Sequence, residues 1–148
     1  MIDGISRDVD IGVLMVSMLE NEFNASFDKG MLKEHLLIAK FVGIEKLIII
    51  ANKMDLIDWD FDIYTKRINK VHQFLTSIQW KSKNIYTIPI SSVLGIGLIN
   101  SDNIPKWYTG KSFLNTLDEI GKNNKKVEYP ETILSNNAIV KTFEKNIK

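Results

Sequence analysis

Lys46-Leu47-Ile48-Ile49-Ile50-Ala51-Asn52-Lys53-Met54-Asp55 is the stretch whose reading decides the fold. After Lys46 it is apolar and β-branched without interruption, then turns abruptly polar at Asn52. Five apolar residues are too few for an ordinary helix and too continuous for a strand with one wet face. Such a run reads as a strand buried on both faces, as in parallel sheets.

The flanking segments support that reading. In 31–42, Met31, Leu32, Leu36, Ala39 and Phe41 approximate a helical stripe, and Gly43 stands where a helix stop is expected. In 62–79, Ile68, Val71, Leu75 and Ile78 recur at three- and four-residue steps, leaving Lys66, Arg67, Lys70 and Gln73 for the wet side. Two further apolar strands, 11–18 (IGVLMVSM) and 84–91 (NIYTIPIS), bracket these helices. A third helix follows over 112–120, with Phe113, Leu114, Leu117 and Ile120 inward and Gly121 as its stop. Strand and helix in alternation predict an α/β domain whose mostly parallel sheet has about three strands joined by crossover helices. Residues 1–121 form that domain, and 122–148 read as a Lys/Asn-rich tail, peripheral or weakly helical.

Composition closes off other classes. The chain has 148 residues, 45% apolar and 25% charged, with a formal net charge of +1, so overall charge argues for neither nucleic acid nor membrane. The absence of cysteine excludes disulfides, zinc–thiolate sites and thiol catalysis. No apolar run is long enough to span a bilayer, and the first residues show no secretion signal, so the expectation is cytoplasmic with no membrane partner. Acidic residues and histidines do not cluster at metal-ligand spacing, and neither a G-x-S-x-G nor a carboxylate pair is present.

Ligands of parallel α/β sheets bind beyond the carboxyl ends of the strands, which points to the loops starting at Asn52 and Ser91. A carboxylate at Asp55 suits guanine, which presents its ring N1–H and exocyclic amine side by side; adenine offers no such pair. A site built on hydrogen bonds rejects a ligand that leaves them unmade. The Lys53 stem can lie on the base, and the Asn52 amide can tie the loop to its neighbours. Ser91-Ser92-Val93 ends the next strand, where a hydroxyl would orient Asp55 and backbone N–H groups would meet the guanine carbonyl. The tetrapeptide alone is a weak signal; its place after a buried strand strengthens it.

Over residues 1–120 the sequence resembles the elongation factor 1-alpha branch of translational GTPases. MIDGISRDVDIGVLMVS is similar to the family's M-I-x-G-x-S-Q-A-D stretch, and FDKGMLKEHLLIAKFVGIEKLIIIANKMD to its G-Q-T-[RK]-E-H to N-K-M-D run. IPISSVLGIGLI resembles P-I-S-x-x-x-G-x-N, and PKWYTGKSFLNTLDEI resembles W-[YF]-x-G-x-x-L-L-x-x-L-D. Trp59, the Lys106-Trp107-Tyr108 run and Lys33-Glu34-His35 look most like the ribosome-rescue branch that partners Pelota. Elongation factor 1-alpha itself and the release-factor GTPase stay close alternatives.

The resemblance implies the carboxyl-terminal half of a P-loop GTPase domain. It implies GTP/GDP as ligand, with Asn52, Lys53, Met54 and Asp55 reading guanine and Ser91, Ser92 and Val93 completing the pocket. It further implies the ribosome and a tRNA or tRNA-mimic protein, Pelota- or release-factor-like, as partners. Mg²⁺ is expected only in an intact family member, because the family's phosphate loop, switches and catalytic His fall ahead of the M-I-x-G stretch. No catalytic residue is assigned within this chain. The alternative is a non-catalytic half-domain that docks on a protein or the ribosome.

Several strings have structural readings. Gly110-Lys111-Ser112 mimics the end of a phosphate loop, but Pro105 stands where the first glycine belongs. Asp118 to Gly121 fits D-x-x-G only as letters at a helix end. His35 reads as a packing or capping residue, His72 as solvated, and the three tryptophans as packing or rim residues. Lys122, Lys125 and Lys126 form a small basic cluster of the solvated kind.

Overall fold

In the computed structural model, residue 9 and residues 11–123 are described. They divide between two compact units, 1–116 and 117–148. Within the first unit, β1 (Ile11–Ser17), β2 (Lys46–Asn52) and β3 (Ile85–Pro89) make one sheet in the order β1-β2-β3. Both pairings are parallel, with Val13 opposite Ile48 and Ile48 opposite Tyr86. The predicted three-stranded parallel sheet is therefore present, and β2, the stretch quoted first, is its central strand. Six of its seven residues are buried, as the uninterrupted apolar run demands.

Two helices make the crossovers: α2 (Leu32–Phe41) leads into β2 and α3 (Phe61–Ser77) into β3. With Val16, Leu47, Ile49 and Ala51 of the sheet, Leu36 of α2 and Ile68, Val71 and Leu75 of α3 form one buried cluster. A short helix absent from the sequence reading, α1 (Glu20–Phe23), follows β1 and runs into a wider turn over Asn24–Asp28. It is seated by Phe23 and Phe27, both buried, whose rings stack 5.3 Å apart.

Both crossover helices end in Schellman turns. In α2, Gly43 at φ 92° donates to the Lys40 carbonyl and Ile44 to that of Ala39. In α3, Gln79 takes the same left-handed place at φ 59°, donating to Thr76, while Trp80 donates to Leu75. The two exits are cross-tied: the Lys40 ammonium lies 2.8 Å from the Gln79 carbonyl, and the Trp80 indole donates to the Glu45 carbonyl at 3.0 Å.

Some expectations need correcting. Met31 and Phe41, read as part of the inner stripe of α2, are exposed, Phe41 at 92%. Arg67 is partly buried and donates to the Met18 carbonyl, tying α3 to the end of β1. His72 is half-buried with Nε2 3.0 Å from the Thr87 hydroxyl, so it is no solvated surface group. Gly121 does not stop the last helix, α4 (Phe113–Asn123), which runs through it. Most of the predicted tail, 124–148, and residues 1–8 lie outside the described residues.

Candidate guanine-reading site

The carboxyl ends of the three strands are laced together by backbone. Met18 N–H donates to the Asn52 carbonyl (2.9 Å), Ile90 N–H to Ala51 (2.8 Å) and Met54 N–H to Ile90 (3.1 Å). Met54 is fully buried, so its side chain anchors the loop from below. The chain then makes a single 3₁₀ turn over Met54–Ile57. Lys53, Asp58 and Trp59 all have positive φ (67°, 50° and 54°), a concentration that side-chain-bearing residues adopt only where surrounding contacts hold them. Asp60 then accepts the Ile63 N–H at 2.8 Å and caps α3.

Asn52 is the strut between the two loops. Its buried Oδ1 accepts both the Lys53 N–H (2.8 Å) and the Ser92 N–H (3.0 Å). Its Nδ2 faces the Met15 sulfur at 3.6 Å, a weak acceptor that leaves the amide hydrogens available to a stronger one. One side chain thus fixes the spacing between the Asp55 loop and the Ser91 loop.

Asp55 is partly buried, and its carboxylate makes no hydrogen bond or ion pair with a described residue. Neither serine orients it. The buried Ser91 hydroxyl instead accepts the Leu94 N–H at 3.2 Å, and Ser91 N–H donates to the Ile96 carbonyl. Since Asn52 takes the Ser92 N–H, the backbone donor left open in the 91–94 turn, among the described residues, is that of Val93. The Val93 side chain is 85% exposed. Gly97 supports this turn from beneath, at φ 79° with the Pro89 carbonyl where a Cβ would need to be.

Lys53 has a partner that sequence reasoning missed. Its ammonium lies 2.7 Å from both carboxylate oxygens of Glu22 on α1. The bond from Lys53, then one from Ser17, holds the Glu22 carboxyl below its ordinary range. Nothing local could have flagged this pair, because the residues are 31 apart and α1 was not foreseen.

The phosphate-loop mimic is structural. Tyr108 packs where a Gly110 Cβ would sit, and its hydroxyl donates to the Lys111 carbonyl at 2.8 Å. Ser112 is buried, donates to the Ile99 carbonyl and receives the Asn115 N–H, capping α4. Trp107 joins Phe61 and Tyr64 in an aromatic cluster (5.4 and 5.0 Å), with the Tyr64 hydroxyl pushed upward by burial and Tyr108 up to about 12. Trp80 is buried, and Trp59 packs on the core. All three tryptophans are at least partly buried and pack on the core.

Among the described residues the Asp55 carboxylate and the Val93 N–H have no partner, and the buried Asn52 amide ties the two loops that carry them. Guanine presents a donor pair and a carbonyl, so the residues present fit the base.

No family profile matches the chain. It is 35% identical over 136 residues to a eukaryotic peptide chain release factor GTP-binding subunit of Candida maltosa, covering 88% of this chain and 19% of that protein. It is 34% identical over 124 residues to an elongation factor 1 alpha-like protein of Schizosaccharomyces pombe, covering 81% of this chain and 21% of the other. The crystal structure of sup35 complexed with GDP superposes with a TM-score of 0.68 at 33% identity, covering 78% of this chain and 30% of that one. The chain thus spans about a fifth of the length of these two relatives.

Proposed function

The chain belongs to the elongation factor 1-alpha-like family of translational GTPases, and from that premise we propose that it supplies the guanine-reading part of a GTP-binding translation factor. The observation that carries this reading is the Asp55 carboxylate, without a partner among the described residues, in a loop that Asn52 ties to the Ser91–Val93 turn. Asp55 accepts the N1–H and exocyclic amine of the base, Val93 N–H meets the guanine carbonyl, and the Asn52 Nδ2 leaves its sulfur for a ring acceptor. Lys53 lies along the face of the base. GDP in the sup35 structure is in keeping with this ligand.

GTP and GDP are the ligands of the whole factor. Its partners are the ribosome and a tRNA or tRNA-mimic protein, Pelota- or release-factor-like, and its place is the cytoplasm. Mg²⁺ and the phosphates would be held by parts of the family fold not contained in this sequence. The 148-residue chain alone therefore binds guanine nucleotides weakly and does not turn over GTP. Titration with GMP and with AMP, followed by backbone amide shifts, tests the reading. Shifts at Asp55 and Val93 with GMP and none with AMP are expected; equal response to both nucleotides would sink it.

A second reading has its own observation. Among the described residues nothing pairs with the outer edge of β1, and Val13 and Met15 there are 51% and 57% exposed. Beside them, a groove of about 230 Å³ is lined by Ile11, Leu14, His35 and Ala39. An uncharged, open parallel edge favours strand addition by another polypeptide. Sedimentation tests the self-paired form of this docking: association that grows with concentration is expected, and a monomer at every concentration counts against it.

A further inference from the structure

Lys53 is fixed at both ends. Its backbone is left-handed and donates to Asn52, while its ammonium sits between the two carboxylate oxygens of Glu22. Glu22 in turn is not free to wander. The next residue, Phe23, is buried against Phe27, and α1 leaves β1 through a turn in which Leu19 N–H donates to the Ser17 hydroxyl at 3.2 Å. The four methylenes between these anchors span from the Asp55 loop to α1, and their course is set before any ligand arrives.

Resting on the base-reading role of this loop, we propose that Glu22 is a positioning residue for guanine: it holds the Lys53 stem as a preformed wall of the base site. A free lysine side chain carries about 2 kcal/mol of rotamer entropy, part of which a base packing on it must take away. A stem already held loses less on binding. The pair itself is half-exposed, at 35% and 47% of the two side chains, so solvent screening leaves it little to give the fold. Its consequence lies in binding. Discrimination between guanine and adenine stays with Asp55, since Glu22 acts on the base through the lysine stem.

The test is a double-mutant cycle on the full 148-residue chain, with GMP as probe and AMP as control. E22Q is expected to weaken GMP binding about three- to fivefold, with the preference for GMP over AMP and the melting temperature unchanged. In a K53M background E22Q has no further effect, and high salt brings the native chain towards the affinity of E22Q. E20Q, on the same helix, binds like the native chain. Native-like binding by E22Q, or an equal loss with and without Lys53, overturns the positioning role alone. A native chain that does not prefer GMP overturns the base-reading role, and this one with it.

Discussion

At the amino-terminal rim of the sheet, α2 and α3 end in matched Schellman turns, and Lys40 and Trp80 cross-tie them to the carbonyls of Gln79 and Glu45. At the carboxyl-terminal rim, three residues of the Lys53–Trp59 segment are left-handed, no described residue pairs with the Asp55 carboxylate, and Leu56, Val93 and Leu94 are exposed. The difference is in what the polar groups are left to do. Below, the carbonyls of Lys40, Ala39, Gln79 and Glu45 are answered within the chain and serve stability; above, Asp55 and the Val93 N–H have no partner among the described residues. Local strain at one rim is tolerated because buried β2 and the backbone bonds at Met18, Met54 and Ile90 over-determine the loop.

The sharpest way to break this contrast is D55N. It replaces a double acceptor with one acceptor and one donor, so the preference for GMP over AMP should fall by at least about a hundredfold, to nothing measurable. Stability should stay within about 0.5 kcal/mol, because Asp55 has no partner among the described residues to lose. Unchanged preference in the nucleotide titration would move the reading of the base elsewhere.

N52A strikes the strut. It leaves two N–H groups, of Lys53 and Ser92, without their acceptor, and a urea midpoint lowered by the equivalent of about 2–3 kcal/mol is expected, with loss of GMP binding. A stable N52A chain that still binds GMP would show the two loops holding their spacing unaided.

At the other rim, Q79G should stabilise. Glycine takes φ 59° without a Cβ penalty, and the Lys40 bond goes to a backbone carbonyl that the substitution keeps. A gain of about 0.5–1 kcal/mol in urea denaturation is expected, with GMP binding untouched. A loss would mean that the glutamine side chain matters there.

The smallest effect concerns His72, between the rims. Burial holds its imidazole below the ordinary value of about 6.5. As pH falls through that value the unfolded chain takes up the proton first, so stability is level above it and declines below. H72Q should flatten the difference between urea midpoints at mildly acidic and neutral pH.

Much of this was legible in the sequence. Strand 46–51, the helical stripe at Ile68, Val71 and Leu75, the stop at Gly43 and the loop's position at a strand's carboxyl end follow from local periodicity and turn chemistry. Gln79 was not legible as a helix stop, because glutamine carries no preference for positive φ. Phe41 and Met31 misled for a related reason: their spacing approximates a stripe, but which face of α2 turns inward depends on where β1 ends. The serine hydroxyls offered no means of telling whether Ser91 would meet Asp55 or, as found, the Leu94 N–H.

The sequence by itself determined the parallel α/β architecture and put a carboxylate suited to guanine at its rim, since both rest on residues close along the chain. Only the tertiary structure decided that Asn52 spans two loops 40 residues apart, that Lys53 is held by Glu22, and that no described residue pairs with Asp55. Those facts depend on where separate segments meet, and burial fixes that meeting only when the core closes.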